Sequence, residues 1–231
     1  MSYSLGKLLD SFSNLGVDCK TAKIEKNFNF LNEIGHHISY SNGKRLNFTK
    51  VYEKEILAPH VSEYFNVNTI FDRTMSILRI LGSRHVRKIE RIENPFLYAQ
   101  YQLSMLKKKW RYGSVKELTL FHGTKSTYID SICKNNFDWR KMGCHGFRYS
   151  KFGRGMSFSP SARYASDYPR RCHENPRIMF VVKVLEGSRC LGVPDLVIPP
   201  EPHDTSAKSD GDVVVKYFDN EFYPEYIISY T

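Results

Sequence analysis

Apolar and polar positions alternate along this chain with two different periods. "RIMFVVKVLEG" (177–187) is a dense, β-branched apolar run and predicts a strand. "VKELTLFHGT" (115–124) predicts another that runs into a polar turn, and "HVRKIERIEN" places Val86, Ile89 and Ile92 on a third. "GDVVVKYFDNEFYPEYIISYT" (211–231) predicts two more around the Asp219-Asn220-Glu221 turn. The helical period shows in "SEYFNVNTIFDRTMSILRILG" (62–82), through Phe65, Ile70, Ile77, Leu78 and Leu81, with Gly82 as a stop. It returns after Asn94-Pro95, an N-cap followed by proline at the first helical position, with Phe96, Leu97, Tyr101 and Met105 on the apolar side. "STYIDSICKNNF" gives a short helix with Ile129, Ile132 and Cys133 inward.

Between these elements, "LGVPDLVIPPEPHDTSAKSDGD" (191–212) reads as a Pro/Asp/Ser-rich loop, and Asn42-Gly43 as a turn. Long helices do not alternate with parallel strands. The expected fold class is therefore α+β, with mostly antiparallel sheets and helices toward the N-terminal side. Residues 1–61 show no clear pattern and stand as an N-terminal extension of unknown role before one domain, 62–231.

Composition changes this picture in three places. Hydrophobic residues make up 41% of the 231, enough for a packed core, and no run of 18 apolar residues predicts a membrane span. The five cysteines, at 19, 133, 144, 172 and 190, form no CxxC pair, which points to a reducing compartment, nucleus or cytoplasm. Lys and Arg exceed Asp and Glu by ten, a surplus that suits a nucleotide, a phosphorylated partner or nucleic acid and equally a plain solvated surface. Its densest stretch, "LKKKWRYG" (106–113), reads as the polar end of the second helix.

The candidate chemistry begins at "KFGRGMSFSPSARYASDY" (151–168). A dinucleotide fingerprint would need a third glycine where Phe158 stands, and a P-loop would need Gly-Lys-Ser/Thr, so neither phosphate loop is present. "LFHGT" (120–124) ends a strand with an imidazole, a bare backbone and a hydroxyl, groups able to hold a ribose diol and an amide; taken alone, His122 also fits a structural strand-end histidine. Cys144-His145 and Cys172-His173 lack the tight paired spacing of zinc sites, and no metal is expected.

Seven segments in order, "RKIERIENPFLYAQY", "LFHGT", "ICKNNFDWR", "FGRGMSF", "ARYASDY", "MFVVKVLEG" and "FYPEYIISY", resemble the catalytic domain of the poly(ADP-ribose) polymerase family, nearest its mono-ADP-ribosylating branch. The resemblance implies NAD as substrate and a protein acceptor, the chain itself included. It assigns His122 to the ribose hydroxyls and the Gly123 backbone to the nicotinamide amide. Thr124 and Arg140 fall to the adenine side, Tyr168 to stacking on the nicotinamide ring, and Gly155 to backbone shape beside the cofactor. The family's His-Tyr-Glu triad reads here as His122, Ser157 and Val213.

These departures have chemical consequences. Valine accepts no hydrogen bond, so the resemblance implies transfer of one unit and no chain growth. The family's serine three residues before the stacking tyrosine is Ala165 here. Together with Ser157 this weakens NAD by roughly 10- to 1000-fold if each change costs ~1.4–2 kcal/mol. A protein that keeps the fold but has lost turnover is the alternative the same residues allow, with Tyr149 and Tyr164 as aromatic stand-ins nearby. Glu225 falls on the last strand, away from the triad position, and reads as structural.

Overall fold

A computed structural model describes residues 38–75, 85–141, 151–167 and 174–231. The described residues fall into two units, one ending at Lys50 and the other spanning Val51–Thr231. In the first, the chain reverses at Asn42-Gly43. The Gly43 N–H donates to the Tyr40 carbonyl at 2.9 Å, and Gly43 takes the positive φ of 82° that the turn requires.

The second unit is built on a five-stranded, wholly antiparallel sheet in the order β1-β2-β9-β5-β3. Its strands are β1 (Glu53–Ile56), β2 (Val86–Glu93), β3 (Lys116–Thr124), β5 (Arg177–Glu186) and β9 (Phe222–Tyr230). A smaller sheet runs β4-β8-β7-β6, from β4 (Met156–Phe158), β8 (Val214–Lys216), β7 (Thr205–Ala207) and β6 (Arg189–Leu191), with one parallel pair, β6/β7. β1 precedes residue 62 and yet edges the main sheet. β7 falls within the stretch expected as loop, 191–212; its three residues are too few to show a period.

Both faces of the main sheet are covered, which is why β5 reads as a continuous apolar run rather than an alternation. Ile178, Phe180, Val182 and Val184 face one way, toward Phe137, Phe158 and Val214. Met179 and Val181 face the other, toward α1 (Ser62–Met75). The three-residue spacing of Ile89 and Ile92 has the same cause: they sit on opposite faces of β2.

α1 packs Ile70 against the core as expected but turns Phe65 outward. Val67, Phe71 and Met75 are buried and Phe65 is 68% exposed. Ile77, Leu78, Leu81 and Gly82 lie outside the described residues.

α2 (Pro95–Tyr112) starts as its sequence signals. The Asn94 side chain accepts from the Leu97 N–H at 3.0 Å, with Pro95 at the first position. The same amide donates to the Cys133 carbonyl at 2.9 Å, tying α2 to α3 (Ile129–Asn135). Leu97, Tyr98, Tyr101 and Lys108 form the buried side, the tyrosines against Tyr223, while Phe96 turns outward.

Lys108 corrects the reading of "LKKKWRYG" as simply polar. It joins Lys216, Asp204 and Glu221 in a buried quartet of two cations and two anions. Lys108 pairs with Asp204 and, at 2.6 Å, with Glu221; Lys216 lies 2.8 Å from Glu221 and 3.6 Å from Asp204. Burial, helped by the like charge of Lys108, pushes the Lys216 ammonium below its ordinary value against the attraction of Glu221 and Asp204. Burial also opposes the Asp204 charge, but the attraction of Lys216 and hydrogen bonds from Lys108 and Thr205 hold its carboxyl below the usual range.

Candidate functional site

The two sheets meet at the outer edge of β3, the edge strand of the main sheet, which stays paired with β5 throughout. Phe121 and Ser159 form an isolated antiparallel bridge, with N–H to carbonyl distances of 2.7 and 3.0 Å. A cleft with about 240 Å³ of empty space opens at this junction, lined by residues that include His122, Gly123, Ser157, Ser159, Tyr164, Ala165 and Val213.

His122 is set by contacts on two sides. Its ring meets Phe137 and Phe158 edge-on, with centroids 5.0 and 5.9 Å away. Its Nδ1 lies 3.0 Å from the Ser157 carbonyl oxygen. A carbonyl only accepts, so Nδ1–H donates, and in the neutral form of the ring the lone pair then lies on Nε2. Position 157 thus acts on the histidine through its backbone, whichever side chain it bears.

β4 is held in turn by β8. Ser157 pairs with Val215 and Phe158 with Val214, which brings Val213, one residue upstream, into the cleft wall. Gly155 is required for that pairing: a Cβ there would stand 2.1 Å from the Lys216 carbonyl oxygen. Gly153 adopts a φ of 127°, and a Cβ on it would stand 1.7 Å from the Tyr217 hydroxyl oxygen. The glycine doublet therefore packs β4 against β8 behind the cleft and does not line it.

α4 (Ala162–Ala165) supplies the facing wall. Ser161 caps it, accepting from the Tyr164 N–H at 3.2 Å. Ala165 is buried against the cleft, and the half-buried Tyr164 ring packs against Val213, Val215 and Tyr217. The Lys208 ammonium sits 6.0 Å from the Tyr164 ring centre.

The structure thus brings His122, Gly123, Ser157 and Val213 into one cleft. Thr124, at the end of β3, does not line it. Neither does Arg140, which is exposed and paired with Asp138 at 2.9 Å and Asp219 at 3.1 Å. Tyr168 lies outside the described residues, as do Tyr149, Cys144, His145, Cys172 and His173. Glu225 is buried on β9, 3.9 Å from Lys183 and away from the cleft. The cleft also uses Phe121 and Ser159, which lie within the quoted stretches but carry no role there; the bridge between them, 38 residues apart, places them in the wall.

Among the described residues no group of three His, Cys, Asp or Glu is placed to hold a metal ion, and no helix is long and apolar enough to cross a membrane. Burial pushes the Cys133 thiol up to about 12, which makes it a packing residue rather than a nucleophile.

Comparison with known proteins gives a consistent result. Residues 61–227 match the poly(ADP-ribose) polymerase catalytic domain. The chain is 34% identical over 191 residues to protein mono-ADP-ribosyltransferase PARP12 of Mus musculus, an alignment covering 78% of this chain and 26% of that protein. It is 29% identical over 209 residues to protein mono-ADP-ribosyltransferase PARP11 of Mus musculus, covering 78% of this chain and 60% of that one. Protein mono-ADP-ribosyltransferase PARP14 of Homo sapiens is 29% identical over 204 residues, where the match spans 11% of its length. The chain thus spans about a quarter of the first of these relatives and less than two thirds of the second.

Proposed function

This chain belongs to the poly(ADP-ribose) polymerase catalytic domain family, and from that premise we propose that it transfers a single ADP-ribose unit from NAD to a protein acceptor, itself included, and releases nicotinamide. The observation that carries the reading is the convergence of His122, the Ser157 carbonyl and Val213 on one cleft, although 35 residues separate the first two and 56 the second and third.

The residues present fit NAD. A neutral His122 with its lone pair on Nε2 accepts from a ribose hydroxyl, and the Gly123 backbone reads a carboxamide without a side chain in the way. In the transfer, the bond between ribose C1′ and the nicotinamide nitrogen breaks, and nicotinamide leaves with the electron pair. An acceptor carboxylate, thiol or guanidinium forms the new bond at C1′. The chain's part is to hold the ribose and the leaving ring in register as positive charge builds between them. Tyr168 is assigned to stacking on that ring, with Thr124 and Arg140 to the adenine side.

Val213 gives the cleft no acceptor for a second ribose, so the product carries one unit. The free cysteines Cys133 and Cys190 support a reducing setting, nucleus or cytoplasm. A net charge of +10 supports a polyanion as an additional partner.

A second reading has a specific observation behind it. Ser157 and Ala165 both face the cleft and both lack the polar reach found at these positions in the family, which favours a binding protein without turnover. Incubation with labelled NAD, beside His122→Ala and a foreign acceptor protein, separates the two. Label on the wild type that is absent from the variant is the expected result. No label on either, with both folded, overturns transfer and leaves binding, which thermal stabilisation by NAD then measures.

A further inference from the structure

Lys108 turns into the buried quartet, but its neighbours on α2 do not. Trp110 is 90% exposed, the most exposed of the large hydrophobic side chains among the described residues. Lys107, Lys109 and Arg111 are exposed around it. At 100° per residue, Lys107 lies on the same helix face one turn back, and Lys109 and Arg111 flank the ring on either side. Leu106, one turn back along the other ridge, is 48% exposed. Arg111 also reaches Glu201 at 3.2 Å, an ion pair open to solvent and correspondingly weak.

We propose that this end of α2 is a binding surface for single-stranded nucleic acid, with Trp110 stacking on a base and Lys107, Lys109 and Arg111 meeting the phosphates on either side. No residue of α2 lines the cleft, so the surface is separate from it. Its charge decides the class of partner, and its shape decides between polyanions. A protein interface of ordinary size needs about 800 Å² from each side, and a membrane-bound helix needs an apolar face several residues wide. Two exposed apolar side chains provide neither. A base needs one flat ring, and the backbone that carries it needs cations spaced along its path. The run Lys107-Lys108-Lys109-Trp110-Arg111 supplies both once Lys108 is withdrawn into the core.

The test is fluorescence anisotropy on the whole chain with labelled uridylate and deoxythymidylate oligomers of about 20 nucleotides, across a salt series that begins near 50 mM. Three phosphate contacts give a slope of about −2 in log K against log salt. Trp110→Ala weakens binding about ten-fold or more, while Trp110→Phe retains most of it. Replacing Lys107, Lys109 and Arg111 together by glutamine flattens the slope. These side chains are solvent-exposed, so melting temperatures stay unchanged. Binding to RNA alone, or to RNA and DNA alike, supports the proposal. It is overturned if no oligomer binds at the lowest salt, if Trp110→Ala binds as well as the wild type, or if anionic phospholipid vesicles bind and the oligomers do not.

Discussion

The cleft at the sheet junction and the quartet of Lys108, Asp204, Lys216 and Glu221 share the short strand β8, and they treat polar groups in opposite ways. In the cleft a single imidazole is fixed by a backbone carbonyl and two ring edges, and apolar or small side chains surround it. In the quartet two cations and two anions are buried against one another, and the Gly187 and Ser188 N–H groups also donate to Asp204. A site that must admit a ligand keeps its polar groups few and aimed. A site that must hold elements together pairs every charge. The first is organised for binding and the second for one arrangement of three segments: the end of α2, the approach to β7, and β8 with its turn into β9.

That contrast can be broken, and the largest effect belongs to the quartet. Lys216→Met removes one cation and leaves Glu221 and Asp204 short of a partner inside the protein. Loss of one member of a buried pair costs about 3–5 kcal/mol, so chemical denaturation should show a drop of that size. His122→Ala should remove transfer with a much smaller stability loss. If Lys216→Met melted like the wild type, the quartet would not be the fastening described.

Gly155→Ala is next, because it strikes both regions at once. The new methyl group meets the Lys216 carbonyl oxygen, which is backbone and cannot swing aside. Parting β4 from β8 should cost about 1–3 kcal/mol and move the Ser157 carbonyl away from His122. Stability and NAD affinity should fall together, read by melting with and without NAD.

Acid gives a smaller and more selective effect. The folded Asp204 carboxyl titrates below the ~3.9 of an unfolded aspartate, so the unfolded chain takes up the proton first as pH falls. The stability Asp204 provides is complete above that ordinary value and is lost as pH drops through the depressed one. Melting temperature followed downward from about pH 6 should fall below about pH 4, and His122→Ala should follow the same curve. A different curve for that variant would couple the cleft to the quartet's protonation.

The smallest change restores a single hydroxyl. Ala165→Ser faces the cleft from α4 and should tighten NAD by about 0.5–1.5 kcal/mol, a few-fold in Kd by calorimetry, with no change in melting. Equal affinity would mean that the amide of NAD lies elsewhere.

The two regions were not equally legible in the sequence. The cleft could be anticipated because its parts are local: a strand ending in His122-Gly123, a glycine doublet before β4, a capped turn of helix after it. The resemblance then supplied the partner just before β8, Val213. Nothing local marks the quartet. Lys108 sits in a run of three lysines, and its partners lie 96 and 113 residues away; burial of a cation becomes favourable only once those carboxylates arrive. The same holds for α1, where the apolar period fits two faces and only the sheet selects Val67, Phe71 and Met75 over Phe65. Three-residue strands such as β7 are too short to carry any period, so their pairing is settled by tertiary contact alone.

The strand order has a consequence for how the molecule comes into being. β9 is the last described element to leave the ribosome, yet it occupies the middle of the main sheet, between β2 and β5. Until it emerges, β1–β2 and β5–β3 are two separate ribbons, each showing an unpaired inner edge and half of a future core. A nascent chain in that condition presents strand edges to any neighbour able to pair with them. The closing step joins residues more than a hundred positions apart, Ile89 with Ile228, and such long-range pairing is slow. Synthesis therefore holds the protein in an association-prone state until β9 is made, and the period of risk is set by translation rate as much as by stability.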